Sequence, residues 1–161
     1  MATDSGLISD IEAAMVTAVD AIQVGGEDVF ADVDHWRYQI LSLKDWDNLY
    51  PFAYVMYAGN PTAGSAGNDE LEQGLNFDIV IGTKNTEDKS ASRVGSGTDA
   101  GDKELGCSQI RDEVIGALHN QSLSTTKGTQ NLFKFRGDEV QVDLPDYYAL
   151  LLHFRVDCIG V

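Results

Sequence analysis

The sequence predicts an α+β domain: a largely antiparallel sheet with two helices packed on one face. Three observations carry this. Two segments repeat apolar residues at helical spacing, one near the start and one past the middle. Several stretches alternate apolar and polar residues as strands do. Most links between successive strands are short, as antiparallel neighbours require. At 161 residues the chain suits one domain, residues 1–161, with a sizeable core.

The spacing predicts the first helix over Leu7–Val24, where Ile8, Ile11, Met15, Ala18, Val19 and Ile22 form one stripe. Ser5 or a Ser9-x-x-Glu12 box would cap its start, and Gly25-Gly26 would end it. Val29–Ile40 holds one short, edge-like strand, interrupted by Asp32, Asp34 and His35. Leu41–Tyr50 shows no period and reads as loop. Pro51 then opens a strand through Ala58, apolar on both faces as in a covered central strand. Gly59–Gly67 is rich in turn-formers and reads as flexible. The next strand is Leu71–Lys84, bent near Gly74, with Gln73, Leu75, Phe77, Ile79 and Ile81 on one side.

Thr86–Lys103 is a long polar loop; loops of that length inside a domain bind something or remain disordered. This composition buries too little apolar surface to order the loop before it meets a neighbour. Leu105, Ile110, Val114, Ala117 and Leu118 place a second helix over about 104–120. After a turn-rich stretch from Ser122 to Gln130, Leu132–Arg136 is a short strand, Gly137-Asp138 a turn, and Val140–Val142 another strand. In Tyr148–Ile159, Leu150, Leu152, Phe154, Val156 and Cys158 face one way. Leu151, His153, Arg155 and Asp157 face the other, as in a half-buried strand.

The formal charge of −15 comes from 26 acidic and 11 basic residues, and it is spread along the chain. Residues 1–50 hold ten acids and two bases, and residues 105–161 seven and five. A solvated acidic surface disfavours tight binding to nucleic acid, which relies on Lys and Arg. No apolar run approaches the roughly 20 residues that span a bilayer, and no signal-peptide pattern opens the chain, so an intracellular protein is expected. Cys107 and Cys158 are expected as buried free thiols, without a zinc-ligand spacing.

No catalytic constellation is legible. His35, His119 and His153 share no motif with a nucleophile, and His119 suits the C-terminal end of a helix dipole. Asp69-Glu70-Leu71-Glu72 and the acidic run Asp99–Glu104 lack the ligand pattern of a calcium loop. The glycines form neither a dinucleotide-binding nor a Walker pattern. Lys134, Arg136 and Arg155 beside Phe133 and Phe135 make a small basic patch suited to salt bridges, including bridges to a neighbouring subunit. No catalytic, cofactor-binding or metal residue is assigned.

Four segments carry a resemblance. They are Ile8–Met15, Pro51–Val55, Phe77–Asn85, and Ile110–Leu123 with its helix and closing Asn-Gln turn; the final strand fits as well. In these pieces and in their order, the chain resembles the tail-terminator-like proteins of Mu-like phages, a class that includes the lambda tail terminator. Leu41–Tyr50 and Thr86–Lys103 depart from that pattern. The resemblance implies a virion protein of the tail or neck, assembled in the host cytoplasm as a six-subunit ring. That ring would cap the tail tube, stop its polymerisation, and meet the tube protein, a sheath and the head–tail connector. DNA would pass through it unbound. The polar loops at about 59–70 and 86–103 are the candidate interface and channel elements, with Asp69, Glu70, Glu72, Arg93, Asp99 and Asp102 as their charged residues. The rival readings are another neck or tail component (a head-completion, tube or sheath subunit) and a small ligand-binding module.

Overall fold

Strict alternation in two long stretches builds the centre of the sheet. The computed structural model describes residues 6–65, 71–88, 90–123, 129–130 and 132–159. Strand β5 (Leu71–Lys84) pairs antiparallel along its length with β8 (Tyr147–Ile159), placing Phe77 opposite Phe154 and Ile79 opposite Leu152. On its other side β5 pairs with β4 (Phe52–Ser65), Val55 opposite Ile79. The edge strand β3 (Asp32–His35) runs parallel to the start of β4. On the far side of β8 lie β6 (Thr129–Gln130) and β7 (Lys134–Asp143), both antiparallel to it. The order across the sheet is therefore β3-β4-β5-β8, with β6 and β7 sharing the last edge.

Two helices cover one face, as the sequence predicts. Helix α1 (Leu7–Asp20) buries Leu7, Ile11, Met15 and Val19. Its Glu12 reaches the sheet, where Oε1 accepts from Tyr57 N at 2.9 Å, beside a register irregularity in β4. That use of Glu12, with Ser9 inside the helix, rules out the predicted capping box; Ser5 lies outside the described residues. The helix also stops earlier than expected. Gly25 and Gly26, both at positive φ, instead turn a two-residue hairpin between β1 (Gln23–Val24) and β2 (Glu27–Asp28). The second large helix (Cys107–Leu118) buries Cys107, Ile110, Val114 and Leu118 against the inward residues of β5 and β8. Each such apolar side chain withdrawn from water contributes roughly 1.5–3 kcal/mol, so this face supplies most of the stability. Cys107 and Cys158 are buried free thiols, and burial pushes their pKa values up to about 12 and about 11.

Four expectations need correction. Leu41–Tyr50 is not a loop: Leu43–Leu49 forms helix α2 on the opposite sheet face. Its Asp45 carboxylate accepts from Leu41 N at 3.1 Å and Ser42 N at 3.2 Å, so the helix start is capped. Gly59–Ser65 is not a flexible loop, because backbone pairing with Leu71–Asn76 keeps it in β4. Gly137-Asp138 is not a hairpin turn. β7 continues through Gly137, whose φ of 120° accommodates a bulge. Thr86–Lys103 holds a short helix, α3 (Ala91–Val94), so the Cys107–Leu118 helix is α4.

Candidate assembly surfaces

The face of the sheet opposite α1 and α4 changes character along its length. Near α2, Trp46 donates its Nε1–H to Thr83 O at 3.1 Å and packs edge-on against Phe52, centroids 4.9 Å apart. Phe52 stacks on Tyr54 at 5.0 Å, and Tyr54 lies 5.9 Å from Trp36, which lies 5.7 Å from Tyr38. A continuous aromatic path thus leads from core to surface. Burial, together with the Tyr54 hydroxyl's 2.7 Å bond to Asp32, raises the Tyr54 pKa far above the ordinary phenol value. Gly82 lies under Phe52, and a Cβ there would collide with the Phe52 ring. Beyond Trp36 and Ile40 the face opens into an apolar groove of about 320 Å³, floored by Met56, Val80 and Leu151 and edged by Val142.

Further along, polar residues take over. His153 Nδ1 lies 2.6 Å from Asp78 Oδ1, and its Nε2 lies 3.1 Å from Glu139 Oε1. The hydrogen bond to Asp78 is the largest influence holding the His153 pKa above the usual imidazole value, with Glu139 assisting. Beside it is a polar hollow of about 420 Å³, lined by Asn76, Arg136 and Arg155. Among the described residues, neither ring nitrogen of His153 meets a Ser hydroxyl or Cys thiol, as nucleophilic catalysis would require. The other two histidines also do structural work. His35 Nδ1 faces Glu12 at 3.0 Å, and His119 Nδ1 accepts from Phe135 N at 3.0 Å, tying α4 to β7. Among the described residues no cluster of metal-ligating side chains occurs, and no helix is long and apolar enough to cross a membrane.

The described part of the first region, Gly59–Ser65, pairs along the first half of β5, whereas 86–103 follows the strand's other end. Of the six predicted residues the structure describes four, and it puts Glu72 at the opposite end of β5 from Arg93, Asp99 and Asp102. Asp69 and Glu70 lie outside the described residues; Glu72 contributes backbone pairing with Gly64 and Ile159, its side chain being outside the description. At the other end, Arg93 is exposed on α3 while its carbonyl accepts from Ser108 Oγ at 2.7 Å. Asp99 Oδ1 accepts from Gly101 N at 2.8 Å. Asp102 borders a polar hollow of about 350 Å³ that also contains Tyr50, Lys84 and Lys103. Lys84 and Tyr147 both bond Asp47, at 2.8 and 2.7 Å, and these bonds lower the Asp47 pKa, Lys84 contributing most.

The region 86–103 is also not the self-disordering polar loop its composition predicts. Ala91, Ser92 and Ala100 are buried. Ser96 N donates to Glu104 O at 2.9 Å, Gln109 Nε2 donates to Gly97 O at 3.1 Å, and Thr83 Oγ1 donates to Ser92 O. Backbone and side-chain bonding replaces the apolar burial that the segment lacks.

A chain in a solved structure titled as the virion of a native gene transfer agent particle shares the architecture. The likeness covers 97% of this chain and 100% of that one, with a TM-score of 0.58 at 18% sequence identity. No protein-family profile and no curated protein sequence matches. At that identity the likeness establishes the fold, an α+β architecture shared end to end with a chain of that particle.

Proposed function

We propose that this chain is a structural component of a tailed, phage-like virion and acts as a tail terminator, with no enzymatic role. It forms a hexameric ring that caps the tail tube, halts its growth and presents a surface to the head–tail connector. The observation that carries the proposal is the end-to-end fold likeness to a chain of a virion particle, beside the sequence resemblance to tail-terminator-like proteins. Three physical features support it. Among the described residues, no metal cluster occurs and the His153 pair lacks a nucleophile. The −15 charge suits a channel wall that must not grip DNA, since carboxylates repel phosphates over the roughly 8–10 Å that screening allows. The polar region 86–103 at one end of β5 supplies one docking surface, and the paired arms of β4 and β5 at the other end supply a second.

Native mass spectrometry of concentrated protein tests the ring. Six copies of a 17.5 kDa chain give a closed species of about 105 kDa. An open-ended ladder of larger polymers reassigns the chain as a tube or sheath subunit, and a monomer at every concentration removes the ring.

A further inference from the structure

An edge strand turns the N–H and C=O of every second residue to the open side, a template on which a further strand can pair. In β3, Asp32 N donates to Pro51 O at 3.4 Å, and just past the strand Trp36 N donates to Val55 O at 2.9 Å. Val33 and His35 therefore turn their backbone groups away from β4. Side chains already engage both groups of His35. Its N–H donates to Asp34 Oδ1 at 2.7 Å, and its carbonyl accepts from Gln39 Nε2 at 2.6 Å. Among the described residues, that leaves Val33 as the one open outward residue of β3.

Both capping side chains are held in place. Gln39 Oε1 accepts from Arg37 N at 2.6 Å, closing a tight loop in which Tyr38 takes a φ of 61°. A bulky residue adopts that conformation only where its surroundings impose it, and here the two ends of the Gln39 amide span the loop. Arg37 Nη2 lies 3.4 Å from the same Asp34 oxygen that caps His35.

Past His35 the chain leaves the sheet, and β4 becomes the outermost strand. A carboxylate from α1 takes the place of the missing neighbour. Glu12 Oε1 accepts from Tyr57 N at 2.9 Å, while its Oε2 faces His35 Nδ1 at 3.0 Å. Beyond Tyr57 the register of β4 is irregular on both sides of Gly59, and Pro61 has no N–H to donate. Water could satisfy the same backbone groups without fixing any side chain, and fixing side chains costs entropy. What the caps add is exclusion of a strand.

We infer that this edge is closed by design of the chain: Asp34, Gln39 and Glu12 cap it and keep a second copy from adding a strand beside β3. The consequence is for growth. Open-ended extension of a sheet from copy to copy needs two usable edges, β7 of one chain against β3 of the next, so closing one of them stops it. The caps act within a single chain and do not depend on the ring proposed above.

Asp34→Ala with Gln39→Ala removes two caps and no buried apolar side chain. Asp34→Asn makes the same charge change but keeps the accepting oxygen, so it is the control. In hydrogen exchange on the dilute full-length chain, the His35 amide should exchange roughly tenfold or more faster in the double variant than in wild type or control. In sedimentation velocity the double variant should self-associate roughly tenfold or more strongly than wild type, because the freed backbone groups gain partners in a paired copy. Asp34→Asn should match wild type. If the double variant fails to fold, Gln39→Ala alone, which leaves β3 itself untouched, should show the same direction of change. A folded double variant that associates no more than wild type overturns the inference, as does an unchanged His35 amide or an equal gain in Asp34→Asn. The wild-type species in the same runs bears on the ring separately: a strict monomer removes the ring and leaves the closed edge standing.

Discussion

Replacing Phe154 with Ala probes the centre of the fold. Phe154 is 1% exposed on β8, opposite Phe77 of β5 and in contact with Phe135 of β7, ring centroids 5.5 Å apart. It belongs to the core that α1 and α4 cover. Removing a fully buried ring costs the transfer energy of its carbons plus that of the cavity left behind, about 3–5 kcal/mol. An unfolding entropy near 2.1 cal/mol/K per residue gives about 0.34 kcal/mol/K for 161 residues, so the melting temperature should fall by roughly 9–15 °C. Differential scanning calorimetry measures the shift, and urea titration should show a lower midpoint with an unchanged slope. Glu113→Ala, exposed on α4, serves as the control and should stay within about 0.5 kcal/mol of wild type. A Phe154→Ala melt within a degree or two of wild type would refute the inward register of β8 and the packing built on it.

Three further outcomes follow from the same structure. Trp46→Phe keeps most of the apolar contact but leaves Thr83 O without its buried donor, so urea denaturation should show a loss of about 1–3 kcal/mol; no loss would mean α2 does not dock there. His153 has a folded pKa raised by Asp78 and Glu139, with Arg136 and Arg155 nearby on the same face. Its stabilisation should be complete below the unfolded value of about 6.5 and decline as pH rises through the folded value. The stability gap between wild type and His153→Gln should therefore be wider at pH 5.5 than at pH 8.5, and the reverse order contradicts the pairing. Hydrogen exchange on the isolated chain should find the amides of Gly95, Ser96 and Glu104 protected, because each donates to a carbonyl between Ala91 and Glu104; free exchange there would restore the view of that region as an unstructured loop.

What the sequence revealed, and what it concealed, depends on the distance over which each feature is determined. β5 carries a long alternating run and appears with the predicted bounds. The inward residues of β8 and the stripes of α1 and α4 follow the predicted faces, because each pattern is local and periodic. α2 spans only seven residues and buries one side chain, Trp46, so it has no period to read; Ser42-x-x-Asp45 was its one local signal. The Gly-rich stretch 59–65 is a strand through its pairing with β5 rather than through propensity. Gly137 carries the signature of a turn and serves a bulge.

The surfaces were less legible than the core. Asp78 and His153 are 75 positions apart and meet only because β5 and β8 pair in one register. Glu72 and the charged residues of 86–103 fall at opposite ends of β5, which no composition argument reveals.

Electron microscopy of tail tubes assembled with and without the purified chain tests the terminator proposal most directly. Closed six-fold rings seated at tube ends, together with tubes that shorten as the chain is added, are the predicted result. Unaltered tubes with bare ends, or the chain incorporated along their length, would contradict it.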